Sequence, residues 1–206
     1  MLPSRQEEIA MIEAVDVFKA FEPYRGKAIV AATGTAGLHW ADVSSNVKLD
    51  LTLGGAMGQA TSAAFGLALG LPEEKIVLFD SEGALLMNLG VLASIAGKKP
   101  ENFFHFLMDN ECYATTGGQP VPNASDIDYA TLARSAGYVS TYHFDDLEDF
   151  TISVGEILNE PGPVFVSLKI VPEIENLPMG LRPKQRRRSR AESIRDLQEE
   201  LGIAPS

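Results

Sequence analysis

The strongest constraint on this chain is a repeated switch between two hydrophobic periods. Short, largely apolar runs such as Ile76-Val77-Leu78-Phe79 and Phe103 to Leu107 alternate with stretches whose apolar residues recur at helical spacing. A strand that is apolar on both faces must be covered on both faces, as happens in a parallel sheet clad by helices. The runs predict strands over 27–32, 48–53, 75–80, 102–108, 138–144 and 163–171. They predict helices near 57–69, 85–96, 129–136 and 147–158, and an earlier helical pattern (Met11, Ile12, Val15, Phe18) follows Ser4 and Glu7 at capping-box spacing. The expected fold is therefore α/β, a three-layer α/β/α sandwich around a mainly parallel six-stranded sheet.

Composition narrows the function classes. The 206 residues are 45% hydrophobic and 22% charged, enough apolar material for one large domain or two small ones with a real core. One cysteine rules out an internal disulfide framework or a multi-cysteine zinc site and suits a reducing cytoplasm. The apolar stretch 63–71 is far shorter than a membrane span, and the N-terminus lacks the basic head and apolar run of a signal peptide, so a cytoplasmic protein away from membranes is expected. The net charge of −11 argues against nucleic-acid binding by the body of the chain. That charge is uneven: residues 182–206 carry seven Lys or Arg against four acids, +3, which leaves ten basic and 24 acidic residues, −14, over 1–181. Pro172, Pro178 and Pro183 punctuate the approach to the basic cluster, suggesting a domain over 1–171 and a basic helical tail over 172–206. The tail reads either as a solvated face or as a docking arm for an acidic surface.

Ligands of such sheets bind beyond the carboxyl ends of the strands. Four strand-to-loop junctions stand out there. Thr33-Gly34-Thr35 can offer N–H and O–H donors to an anion, or form an ordinary capped turn. Gly54-Gly55-Ala56-Met57-Gly58 leads into a helix rich in small residues; Gly55, Gly58 and Asp80 supply only part of a dinucleotide-binding fingerprint, because Leu53 occupies its first glycine position. Asp80-Ser81-Glu82-Gly83-Ala84 brings acids to a helix start, where they either cap the helix or hold a hard cation. Asp109-Asn110-Glu111-Cys112 offers oxygen ligands or a polar turn closed on its own backbone, and runs on into Thr115-Thr116-Gly117-Gly118-Gln119.

Glu82 and Asn110 stand 28 residues apart, just past the ends of consecutive strands. That pairing resembles the thiamin diphosphate (ThDP) motif, Gly-Asp-Gly followed after 25 to 30 residues by Asn. Five stretches in order carry the resemblance over about residues 5–171: 33–35, 54–58, 83–89, 109–110 and 116–120. They look most like the cofactor-binding (PP-type) domain of phosphonopyruvate and sulfopyruvate decarboxylases. The resemblance implies Mg²⁺ held by Glu82, Asn110 and the Cys112 carbonyl, and diphosphate held by the main chain at Gly83 and Ala84 with Thr35 approaching it. It implies that the Gly55 carbonyl accepts from the aminopyrimidine and that Met57 wedges the cofactor into its bent shape. Two departures stand out: Glu82 replaces the usual Asp, and Ser81 replaces a glycine and its backbone freedom. In the family a second, PYR-type domain supplies a Glu that protonates the aminopyrimidine, which enables the cofactor ring to act as electron sink for CO₂ loss. No segment of this chain is long enough to be that domain. The resemblance therefore implies a β-type subunit needing a PYR-type (α) partner, as a homodimer or an α2β2 assembly, acting on a small 2-oxoacid. No catalytic residue is assigned to His39, His105 or His143, and His105, inside an apolar strand, is expected to be structural. A catalytically decayed assembly or regulatory subunit and a dinucleotide-binding domain are the competing readings.

Overall fold

The computed structural model describes residues 11–34, 36–53, 56–174, 177, 181 and 188–203. The chain runs α1 (Ala14–Phe21), β1 (Ile29–Ala32), α2 (Ala36–Val43), α3 (Ala60–Gly70), β2 (Ile76–Ser81), α4 (Glu82–Leu86), α5 (Val91–Lys98), β3 (Phe103–Asp109), β4 (Cys112–Tyr113), β5 (Gln119–Pro120), α6 (Tyr129–Ala136), β6 (Ser140–Phe144), α7 (Leu147–Ile157), β7 (Val164–Lys169) and α8 (Arg190–Glu200). Five strands form one sheet in the order β1-β2-β3-β7-β6, every neighbour parallel. Their carboxyl ends therefore share one edge, where the candidate loops lie. β4 and β5 form a separate short antiparallel hairpin beyond β3.

Strand alternation sorts the side chains into two cores. Val77, Phe79, Phe104 and Phe106 face α1, α2 and α7 through Phe18, Phe21, Trp40 and Phe150. Ile76, Leu78, Phe103 and Leu107 face the opposite layer through Ala64 and Ala68 of α3, Leu92 and Ile95 of α5 and Ala133 of α6. Small residues at the α3 contact bring that helix close to the sheet. Phe79 is fully buried, with ring centroids of Phe18, Phe106 and Phe21 at 4.9, 5.0 and 5.1 Å. Phe79→Ala removes the centre of this aromatic cluster and is expected to lower stability by about 3–5 kcal/mol, read from urea unfolding followed by Trp40 fluorescence.

Among the described residues the expected six-stranded sheet has five strands, and segment 48–53 is not one of them. Its apolar residues do alternate, and Leu49 and Leu51 are buried, but residues 47–49 form a 3₁₀ turn and a single bridge joins Asp50 to Val30. Asp50 instead accepts from the buried Arg25 guanidinium at 2.7 Å, and Arg25 also donates to Ser44 and lies under the Trp40 ring. The helix expected near 85–96 is divided at the turn 87–90, where the Asn88 amide donates to the Gly58 carbonyl at 3.1 Å and to Ser62 at 3.0 Å. In the tail, α8 starts from a Ser189/Glu192 capping box, buries Leu197, and receives the Thr52 N–H at Ser193 Oγ, 3.1 Å away. Ser4, Glu7, Arg182, Lys184, Arg186 and Arg187 lie outside the described residues. Among the described residues no helix is long and apolar enough to cross a membrane.

Candidate functional site

A cavity of about 250 Å³ opens beyond the ends of β1, β2 and β3, and all four loops reach it: Thr33 and Gly34, Met57 and Gly58, Ser81 with Gly83 and Ala84, and Asn110 with Cys112 and Tyr113. Thr35, Gly54 and Gly55 lie outside the described residues. Met57 is not a core residue; it is 47% exposed on the cavity wall. Gly58 there has φ +83°, a conformation that favours glycine, and a Cβ would lie 3.0 Å from that of Met87.

Glu82, the first residue of α4, is fully buried. Its Oε2 faces the Asn110 N–H at 3.5 Å, and its Oε1 has no hydrogen-bond partner. Asn110 is buried too, and its side-chain oxygen accepts from the Cys112 N–H at 3.1 Å. It thus closes its own turn, yet a carbonyl oxygen keeps a second lone pair for a ligand. Burial pushes the Glu82 carboxyl up to about 7, helped by the negative charge of Asp109 and opposed by the backbone N–H groups of Glu82 and Asn110 and by Lys169. Burial also raises Asp109, against the pull of Lys169, whose ammonium lies 3.0 Å from Asp109 and 2.5 Å from Glu111. The Tyr129 hydroxyl, buried and unpaired, is raised by burial and by Asp109 and Glu82. The Cys112 thiol is raised by burial, then by Glu82 and Glu111, the opposite of an activated nucleophile.

This environment fits a hard divalent cation. An orphaned buried carboxylate oxygen, an amide oxygen beside it and a surplus of negative potential are the donor chemistry of Mg²⁺, which Glu82, Asn110 and the Cys112 carbonyl could hold. The Ser81 departure has a structural answer: φ −112° and ψ 152° are ordinary extended values that need no glycine. Gly83 does need to be glycine. A Cβ there would meet Tyr113 Cε1 at 2.6 Å, so the Tyr113 ring lies directly on the Gly83 backbone.

Asp80 has no exposed surface and accepts from Thr33 Oγ1, Ser81 N and Thr61 Oγ1, bonds that tie it to the protein's own groups. Burial alone would raise its carboxyl, but His105, Thr61 and the Ser81 N–H outweigh burial and lower it. His105 lies in the core, its Nε2 3.7 Å from Asp80, and His39 on α2 pairs with Glu173 at 2.5 Å. Sequence reasoning missed Tyr113, Tyr129, Lys169 and Thr61. Only Thr61 left a signal, a hydroxyl one residue inside a helix otherwise built from small and apolar residues.

Comparison with known proteins bears on this geometry. Residues 32–168 match the family described as thiamine pyrophosphate enzyme, C-terminal TPP binding domain. The chain is 38% identical over 125 residues to the sulfopyruvate decarboxylase subunit beta of Methanothermobacter thermautotrophicus, covering 61% of this chain and 64% of that one. It is 35% identical over 118 residues to the phosphonopyruvate decarboxylase of Streptomyces hygroscopicus, covering 57% of this chain and 29% of that one. The matched region thus spans less than two thirds of either relative. Benzoylformate decarboxylase from Polynucleobacter necessarius shares the fold with a TM-score of 0.70 at 17% identity, over 84% of this chain and 36% of that one.

Proposed function

Because this chain belongs to the thiamine pyrophosphate enzymes, through their C-terminal TPP-binding domain, we propose that it is the ThDP- and Mg²⁺-binding subunit of a 2-oxoacid decarboxylase. The observation that carries the proposal is the buried Glu82 carboxylate, its Oε1 unpaired and its Oε2 facing the N–H of Asn110, a residue that lines the cavity reached by all four loops. Relatives named sulfopyruvate and phosphonopyruvate decarboxylase point to a small 2-oxoacid bearing a second anionic group as substrate.

In this reading Glu82, Asn110 and the Cys112 carbonyl would hold the metal, and the main chain at Gly83 and Ala84, with Thr35, would bind the diphosphate. Gly55 would accept from the aminopyrimidine, and Met57 would support the cofactor from the cavity wall. ThDP, when bound, supplies the electron sink for loss of CO₂. The chain's residues would hold and orient it, with Tyr113, packed on the Gly83 backbone, and Ala84 forming part of the cavity wall. A PYR-type partner would add the activating Glu and much of the substrate pocket, in an α2β2 assembly.

The test is CO₂ release from sulfopyruvate and phosphonopyruvate by the full chain, alone and with a PYR-type α subunit. The expected result is none alone and turnover with both. Robust turnover by the chain alone contradicts a site split between subunits. A second reading, a decayed assembly or regulatory subunit, draws on Glu82 standing where the family has Asp. It gains if the assembled pair neither binds ThDP nor turns over.

A further inference from the structure

Asp80 is fully buried at the lining of the cavity, where it ties together three parts of its wall. Its Oδ1 accepts from Thr33 Oγ1 at 3.1 Å and from the Ser81 N–H at 2.9 Å; its Oδ2 accepts from Thr61 Oγ1 at 2.5 Å. Thr33 begins the turn after β1, Thr61 sits in the first turn of α3, and Ser81 ends β2. Thr33, Gly34, Ala60 and Ser81 all line the cavity. His105 Nε2, 3.7 Å from Oδ2, is an electrostatic partner beyond hydrogen-bond distance, and the three hydrogen bonds the carboxylate accepts come from Thr33, Ser81 and Thr61. Burying a carboxylate is costly, and an apolar residue would fill this space with less penalty if packing were its only task.

We propose that Asp80 is a positioning residue for the diphosphate end of the cofactor: it clamps the Thr33–Gly34 turn, the start of α3 and the end of β2 into one wall before any ligand arrives. The inference rests on the ThDP reading above. The clamp removes freedom that the turn would otherwise lose on binding, and so raises affinity without touching the ligand. Gly34 has φ +62°; the Thr33 N–H also bonds the Phe79 carbonyl, the Thr33 carbonyl accepts from the Gly37 N–H, and the Thr33 hydroxyl, with one proton, lies between Asp80 Oδ1 at 3.1 Å and the Phe79 carbonyl at 3.2 Å.

The test uses the full chain with Thr33→Val, Thr61→Val and Asp80→Leu, plus Asp80→Asn as the conservative variant. An amide at position 80 can keep its oxygen on Thr33 and Ser81 and donate to Thr61 instead. Two readouts are taken: hydrogen exchange at the Thr33 and Ser81 amides in ligand-free protein, relative to β7, and affinity for ThDP with Mg²⁺. Each Val variant removes one hydrogen bond to a charged group and should speed exchange and weaken ThDP binding about tenfold, with Asp80→Asn close to wild type. Wild-type exchange and affinity in both Val variants would overturn the inference, whether or not Asp80→Leu folds. If exchange accelerates but the wild-type chain itself binds no ThDP, the cofactor reading fails, and the role of Asp80 toward a diphosphate falls with it.

Discussion

Glu82→Gln is expected to abolish Mg²⁺-dependent ThDP binding while making the metal-free chain more stable at alkaline pH. The two effects have one cause. A buried carboxylate with an orphaned oxygen is held at about 7 against an ordinary value of 4.5. Because the folded-state value is the higher one, the stabilisation from the protonated form is fully present below about pH 4.5 and is lost as pH rises through about 7. Gln stays neutral throughout, so metal-free Glu82→Gln and wild type should be equally stable near pH 4. At pH 8 the variant should exceed wild type by roughly 3 kcal/mol, the free-energy equivalent of that shift. Urea unfolding of EDTA-treated protein at both pH values checks the sign. Loss of a direct metal ligand should weaken ThDP binding by at least ~100-fold, more than is usual for changing a residue that only hydrogen-bonds a ligand. Equal pH profiles for the two proteins would mean that Glu82 is not the frustrated group described above.

Gly83→Ala should produce the second large effect. The new methyl group would lie 2.6 Å from Tyr113 Cε1, 3.0 Å from Cδ1 and 3.3 Å from Val121 Cγ2, so the ring must move. The Gly83 backbone and Val121 block one side, which leaves the cavity as the open direction. The cost in stability should be about 1–3 kcal/mol, typical of an overpacked site. A ring swung into the cavity should weaken ThDP binding on the order of tenfold or more, by clashing with bound ligand. The double variant Gly83→Ala/Tyr113→Ala should be about as stable as Tyr113→Ala alone, because the ring that the new methyl group meets is gone. A clash located elsewhere would leave the double variant's extra loss intact. Calorimetric unfolding and ThDP titration of the four proteins complete this cycle.

The strands that became the sheet were legible because burial on both faces leaves an uninterrupted apolar run, as in residues 76–79 and 103–107. Segment 48–53 carries the same surface pattern and misleads. Its alternating leucines fill a core, but a buried guanidinium 25 positions earlier takes Asp50, a contact no local period can report. The break in the 85–96 helix is hidden for a similar reason, since it is fixed by Asn88 reaching the loop at Gly58. At the site, residues adjacent to strand ends could be found by spacing: Asn110, Gly83 and Met57 line the cavity, and Glu82 is buried beside Asn110 without lining it. Tyr113 on Gly83 and the Thr33–Asp80–Thr61 clamp could not, because they join elements distant in sequence through contacts made only in the folded chain.

The central claim is a cofactor site built on Glu82 and Asn110, and calorimetric titration of the full chain with ThDP, with and without Mg²⁺, tests it most directly. Saturable ThDP binding that requires Mg²⁺ and disappears in Glu82→Gln is the expected result. Absence of ThDP binding even with a PYR-type partner present, or saturable NAD binding in its place, would contradict it.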